Sequence, residues 1–392
     1  MKEKDWKIEA ALLLTTVSML SVACLPAIPS SQLPGKTWYV DDSGGADFTK
    51  IQDAVDAASD GDTIYVYSGF YHESVNIDKF LILTGENKET TIIDYNSSVS
   101  VVNISADGIE MDGFTVQKSD YAYNYVIEIL ANNSIISDNI LSNIGYGTCF
   151  GIYISALRNN NRIENNIFVK TGLGFDTEEL GQNIVVDNVV NGKPLVYLDG
   201  AHDLILEEAA GQIVLINCQD IKVKNQELLD TATGLYIVNT NKCEISGCII
   251  ESNSYGIRIT NSDSLTITHN RIKSNTDGIF ARQCNQWQIS NNSVYSNSQA
   301  IYIESSENCR ILSNNLYGNG FCLMFYFADL SVIKRNNFGD NLINVNSYFS
   351  SLNSWNGNYW DRPRLLPKPI LEFPRINFDW YPAKEPYEIA EV

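Results

Sequence analysis

Basic and metal-binding side chains are scarce in this sequence. Its 27 Lys and Arg stand against 47 Asp and Glu, a net charge of −20. A phosphate backbone demands basic patches, so nucleic acid is excluded as a partner. The eight cysteines include no Cys-x-x-Cys pair, and there are three histidines and four methionines; no metal cluster is expected of them. Serine-nucleophile, phosphate-loop and metal-hydrolase signatures are missing as well. The apolar run from Ala10 to Leu25 is too short for a comfortable membrane span. Charged residues make up 19% of the chain, and their one-sided sign keeps a long surface soluble while admitting divalent cations.

What is present is a repeat. From Ile221 to Val345 the sequence returns every 22 residues: Val223, Ile245, Ile267, Ile289, Ile311 and Ile333 form one column, Leu228, Ile250, Ile272, Val294, Leu316 and Phe338 a second, and Leu235, Ile257, Ile279, Ile301, Leu323 and Val345 a third. Asparagines keep the same step at Asn270, Asn292, Asn314 and Asn336, and again at Asn253, Asn275, Asn297, Asn319 and Asn341. Stacked at one position, such amides form a structural ladder. Gly234, Gly256, Gly278, Ala300 and Cys322 mark a third corner, where small residues let the chain turn with positive φ. Three short alternating segments per period, as in Ile257-Arg258-Ile259, call for a coil of three strands, and the step is too short for helical repeats. The expected fold is all-β: a single three-sided parallel β-helix of about 22 residues per turn, with a short N-terminal capping helix and an irregular aromatic, Pro-rich C-terminal cap.

Residues 1–36 read as a signal peptide or membrane anchor plus linker, with Ser21-Val22-Ala23 as a cleavage site and Cys24 behind it as a candidate lipid carrier. The protein is expected to be extracytoplasmic, secreted or held at the cell surface, with anchoring through the N-terminus as one route. Residues 37–62 hold a strand and an amphipathic helix on Phe48, Ile51, Ala54, Val55 and Ala58, with Asp47 as its N-cap. That helix covers the open apolar end of the coil. Residues 63–350 form the coil. Within it, residues 191–216 read as an irregular turn with loops bulging at Asn191 to Pro194 and at Glu207 to Ala210, and Val223 follows Val185 as the next position in register. Residues 351–392 form a capping tail whose prolines stop the sheet. The seven cysteines after Cys24 are expected to be buried free thiols, since Cys243 and Cys309 share a column three turns apart, too far for a bridge.

An outward column, Tyr236, Arg258, Phe280, Tyr302 and Met324, flanked by Arg282 and Glu304, is the candidate glycan-binding surface. Rings one strand spacing apart offer a platform for sugar rings, and Arg or Glu can bind hydroxyls or uronates. The alternative is an ordinary solenoid flank with Arg282 and Glu304 as a cross-turn ion pair. Asp41, Asp42 and Asp47 are candidate calcium ligands, and calcium is the one cofactor considered; a turn with an N-cap accounts for the same residues.

With these residues in view, the chain resembles the right-handed parallel β-helix superfamily of carbohydrate-binding proteins and sugar hydrolases, and within it the NosD-type β-helix proteins. The resemblance rests on Tyr39-Val40-Asp41-Asp42-Ser43-Gly44-Gly45 and the residues to Ala54, on Asn191-Gly192-Lys193-Pro194, on the Asn-Asn turns, and on Trp355 to Trp360. It implies a right-handed coil and an exported protein. NosD-type proteins also imply copper handling, but His72, His202 and His269 form no His-x-His or Met-rich cluster. The opening is similar to pectin methylesterases too, yet none of their catalytic stretches is present. The preferred function is therefore non-catalytic binding of a polysaccharide or surface glycoprotein; a polysaccharide lyase, hydrolase or epimerase acting on uronate-containing glycans is the alternative, and copper handling the second.

Overall fold

The computed structural model describes residues 35–96, 100–118, 125–145, 149–176 and 180–390; Ala10 to Leu25, the Ser21-Val22-Ala23 site and Cys24 lie outside the described residues. Ile267 pairs with Ile289, and Ile289 with Ile311, in parallel strands. Residues 22 apart are therefore neighbours. Each turn lays down two three-residue strands and a longer third, as in Thr266–Thr268, Arg271–Lys273 and Asp277–Arg282. Alternate residues point inward, and those are the apolar columns of the sequence.

The corners are sharp because single residues adopt the left-handed conformation. Asn225, Gly247, His269, Asn291, Ser313, Arg335 and Gly357, one per turn, all have positive φ. The buried asparagine that follows each of the later ones bonds to the next turn: Asn270 to Asn292, Asn314, Asn336 and Asn358 in succession. The small residues of the third corner serve another purpose than expected. Gly234, Gly256 and Gly278 are not in the positive-φ region; a Cβ on Gly256 would lie 2.6 Å from the Gly278 carbonyl oxygen. What they permit is close approach of successive turns.

The seven cysteines from Cys149 to Cys322 are buried and unbridged, as expected. Burial pushes the Cys243 and Cys248 thiols up to about 11 and Cys284 to about 12, so at neutral pH they are protonated packing groups.

The N-terminal turns are less regular. Thr63 pairs with Ile82, Ile82 with Glu110, Glu110 with Ile135 and Ile135 with Arg162, steps of 19, 28, 25 and 27 residues. Only Arg162 to Ile184 restores 22. Val185 does not lead on to Val223. The first-face sheet of the N-terminal coil ends at Ile184–Val186, and Val223 pairs instead with Leu206 in a different sheet.

The break has a specific form. Asn191 and Gly192, with φ 50° and 80°, are the two central residues of a tight hairpin that sets Lys193–Asp199 antiparallel to Val189–Val190. Positive φ at both positions is the requirement of a type I′ turn, which Asn-Gly meets best. The expected bulging loop at Asn191 to Pro194 is thus a hairpin. From there the same sheet continues with reversed strand direction, through Gln212–Ile216 and Thr233–Val238, to a total of sixteen strands. The core changes sides with it. Leu195, Val214, Ile216, Tyr236 and Val238 pack into the N-terminal core, whereas Ile213, Leu215, Leu235 and Ile237 pack into the C-terminal one. Two coils share this sheet as a common wall, one on each face. Reversing the strands and crossing the wall together preserve the hand of the coil.

Where the N-terminal coil stops, its last third-face strand, Thr171–Phe175, abuts the wall edge-on. The Thr231 hydroxyl donates to the Thr171 carbonyl (2.9 Å), Gln212 Nε2 to that of Leu173 (2.9 Å), and the Tyr236 hydroxyl to that of Phe175 (3.0 Å), while Leu173 N–H donates to Gln212 Oε1. Side chains of the second coil thus satisfy an edge that would otherwise recruit another strand.

Both outer ends are closed. At the N-terminus the helix Ile51–Ala57 buries Ile51, Ala54 and Val55. Its cap is not Asp47, which accepts from Tyr39 N–H, but Glu73, whose carboxylate takes Ile51 N–H and Gln52 N–H at 2.9 Å each. A seven-residue helix has too few internal bonds to leave those donors free. Glu73→Ala is expected to cost about 1–2 kcal/mol, seen as faster amide exchange of Ile51 and Gln52 before any change elsewhere. At the C-terminus the prolines do not stop the sheet as expected: Lys368–Phe373 pairs with Ile343–Tyr348, and Arg375–Asp379 folds back on it. Pro369 falls in the closing hairpin, opposite Phe378. Trp360 stacks on Phe338 at 4.3 Å, completing that column.

Candidate functional site

The wall keeps one face free wherever the N-terminal coil no longer covers it. On that face Tyr236, Arg258, Phe280, Tyr302 and Met324 are register partners in consecutive strands, as the 22-residue step requires. Their surroundings differ. Tyr236 is fully buried and part of the N-terminal core, so the expectation that it lies on an exposed platform is corrected. The reason is the shared wall: at the height of Tyr236 the outward face is an interior.

Arg258 stands one strand further, at the foot of the free face, and is largely covered. Its guanidinium carbon lies 5.4 Å from the Tyr236 ring centre, 4.9 Å from that of Tyr255 and 5.8 Å from that of Phe280. Opposite it, the N-terminal coil presents Tyr125 and Tyr153, stacked at 4.0 Å, with Phe150 beside them. Gly174 makes room for Phe150, since a Cβ there would overlap its ring. The arginine's charge acts on both tyrosines, while burial dominates and raises their hydroxyls. Asp277, beside Tyr255 in the next strand, is 8% exposed, and its Oδ1 accepts no hydrogen bond. Burial pushes its carboxyl up to about 6, against the downward pull of Arg258. In the sequence Asp277 already groups with Arg258, Arg282 and Glu304 as the near-column set that a lyase or epimerase would need; the strands place it in the position of Tyr255 and Gln299.

Further along, Phe280 and Tyr302 are half-buried, their rings 5.2 Å apart and nearly perpendicular. Arg282 Nε faces Glu304 Oε1 at 3.7 Å across adjacent turns, the ordinary ion pair weighed from the sequence. Beyond Glu304 the same column turns aromatic, with Tyr326, Tyr348 and Phe373 in register. Phe327 and Phe349, stacked at 5.3 Å, adjoin them at the corner, each about half exposed. The repeat contained these rings, but the columns singled out in the sequence stopped short of them. A contiguous exposed aromatic surface of this kind is a mark of a binding face.

The acidic turn does not gather. Asp41 Oδ1 accepts from the backbone and hydroxyl of Ser43, which hold its carboxyl below the usual range, Asp42 from Phe70 N–H, and Asp47 from Tyr39 N–H. Among the described residues no three of His, Cys, Asp and Glu come together as a metal site. No helix among them is long and apolar enough to cross a membrane.

Residues 194–365 match the family model described as periplasmic copper-binding protein (NosD). No curated protein sequence matches the chain significantly. Similar solved structures include the A-module of mannuronan C-5 epimerase AlgE6 from Azotobacter vinelandii, with 14% identity, a TM-score of 0.35, and 79% of this chain and 87% of that one covered. Pectin methylesterase from carrot has 15% identity and a TM-score of 0.35, with 68% and 85% covered. The deglycosylated pectin methylesterase from Aspergillus niger has 17% identity and a TM-score of 0.34, with 68% and 87% covered. The copper of the family's description does not fit the residues present. His72 lies 3.9 Å from Asp94, His202 3.0 Å from Asp203, and His269 2.9 Å from the Thr268 hydroxyl, and among the described residues none of the three is grouped with further metal-ligating side chains. The chain is a right-handed parallel β-helix repeat protein that is NosD-like over residues 194–365.

Proposed function

We propose that this is an extracytoplasmic protein that binds a polysaccharide or surface glycan along the free face of the wall, without transforming it. The observation that carries the reading is a run of part-exposed rings in two adjoining register columns, Phe280 and Tyr302 in one and Tyr326, Tyr348 and Phe373 in the next. From the strand of Phe280 to that of Phe373 the row spans four strand spacings, about 19 Å, room for several sugar rings. Alternate rings present edges as well as faces, which suits a carbohydrate whose hydroxyls and C–H faces alternate.

The test is binding to a panel of polysaccharides by pull-down and calorimetry, with Phe280→Ala, Tyr302→Ala and the double variant. Each ring contributes about 0.5–1.5 kcal/mol beyond its area, so the double variant is expected to bind roughly tenfold or more weakly. Unchanged binding would move the site off this face. An enzymatic second reading is favoured by one observation, a carboxyl raised toward neutrality beside an arginine, the elements of a general acid or base with a charge to hold a uronate. A screen for uronate release or epimerisation, with and without calcium, gives no product on the binding reading.

A further inference from the structure

We infer that the ring-lined surroundings of Arg258, at the foot of the wall, take an anionic group of the ligand, a carboxylate or a sulfate carried on a sugar. This rests on the glycan-binding reading above and adds the ligand's charge to it.

Arg258 is a largely covered cation whose Nε meets no acceptor. Three rings surround it at 4.9–5.8 Å, and their faces offset part of the cost of removing it from water. Ring faces do not accept the in-plane N–H donors of a guanidinium, and Arg258 Nε has no acceptor. Among the described residues no carboxylate lies within ion-pair distance of it. The outward Arg282 and Arg162 are different: each faces a glutamate, Glu304 and Glu164. A largely covered arginine with no carboxylate in ion-pair reach is costly to keep, and a planar anion is the group that its fork of donors matches.

Asp277 supports the same conclusion from the other side. It is the nearest acid by strand register, nine-tenths buried, with an oxygen that no donor reaches. Burial holds its carboxyl toward the neutral form, and Arg258 is its one resolved charged influence; Tyr302 faces it from the following strand. Around Arg258 the other groups that act on it are Tyr153, Tyr236, Tyr255 and Asp176. Protonated, Asp277 can donate to an oxygen of the ligand. Ionised, it repels the same group. The chain's net charge of −20 also opposes the approach of an anion, so added salt screens an unfavourable long-range field while leaving a buried contact nearly untouched.

The experiment is calorimetric titration of the whole protein with three probes of matched length: a neutral cello-oligosaccharide, an oligogalacturonate, and a sulfated oligosaccharide. Wild type is expected to prefer one of the acidic probes at least tenfold, with affinity level or rising between 20 and 200 mM salt. The oligogalacturonate identifies a carboxylate site, and the sulfated probe a sulfate site. Arg258→Gln abolishes the preference, so that acidic and neutral probes bind alike; Arg258→Lys, which keeps charge without the fork, retains part of it. For wild type, acidic-probe affinity rises several-fold as pH falls from 7.5 to 5, through the protonation of Asp277, and Asp277→Asn is expected to bind at both pH values as wild type does at pH 5. Equal binding of neutral and acidic probes by wild type, or an Arg258→Gln variant that is folded and keeps the acidic preference, overturns the inference and leaves glycan binding standing. If none of the probes binds, nor any polysaccharide of the wider panel, the functional reading itself falls and the inference with it.

Discussion

Asn292→Ala is expected to lower stability by about 3–5 kcal/mol, visible as a fall in the urea midpoint. The side chain is fully buried. Its amide nitrogen donates to the Ile267 carbonyl (2.9 Å), the Ser290 carbonyl (3.0 Å) and Asn314 Oδ1 (3.0 Å), and its oxygen accepts from Asn270 N–H (2.9 Å) and Asn270 Nδ2 (3.0 Å). Truncation therefore strands groups in three successive turns, and each buried group left unsatisfied costs about 1–3 kcal/mol. Gln288→Ala, on the outer side of the neighbouring strand, bonds only the Ser290 hydroxyl and is expected to change stability by about 0.5 kcal/mol or less. Asn292→Asp separates shape from chemistry. It places carboxylate oxygens against carbonyl oxygens, so burial raises its carboxyl above the unfolded value; the loss grows as pH rises from 5 to 7. The natural ladder ends on an acid, Asp379, for the complementary reason. Its carboxylate meets only donors: Gly357 N–H, Asn358 N–H, Asn358 Nδ2 and Trp360 Nε1. If the alanine variants at 292 and 288 melted alike, the asparagines would be passengers of the coil rather than its fasteners.

Much of this ladder was legible because repetition multiplies a weak signal. One asparagine says little, but Asn270, Asn292, Asn314 and Asn336 at one step admit only a stacked position. The N-terminal ladder, Asn139 to Asn166 to Asn188, has the same bonds and was missed, since its steps are 27 and then 22 residues. Loops of different length between strands leave the stacking intact while erasing the period. The free thiols, the helix that closes the N-terminal end and the aromatic plug at Trp360 followed from burial and propensity. The cap on Glu73 did not, because a carboxylate 22 residues from Ile51 carries no local mark. The candidate site was half legible. The column from Tyr236 to Met324 is in register as read, but which of its members see solvent depends on what faces them. That is set by the crossing at Asn191 and Gly192, a change of direction that only a turn type betrays.

The shared wall left one trace in the sequence, and it suggests the sharpest test of the architecture. Ordinary strands of this coil alternate, as in Ile257-Arg258-Ile259, because one face is wet. Ile213-Val214-Leu215-Ile216 and Leu235-Tyr236-Ile237-Val238 do not, and a continuous apolar run is what a strand buried on both faces requires. Val214 and Tyr302 occupy one outward column, since Val214 pairs with Tyr236 and the register runs on through Arg258 and Phe280 to Tyr302. In a coil with a uniformly wet flank, aspartate at either position would be tolerated alike. With a common wall, Val214→Asp buries an unpaired carboxylate in the N-terminal core and is expected to cost more than about 4 kcal/mol, with protease sites opening on both coils. Tyr302→Asp, on the free part of the same face, is expected to cost about 1 kcal/mol or less, although it weakens glycan binding. The two melting curves decide the matter. A Val214→Asp variant as stable as Tyr302→Asp would mean that the coils do not share a core face, and Arg258 would then lack the covering rings of the N-terminal coil beside which it is to meet its anion.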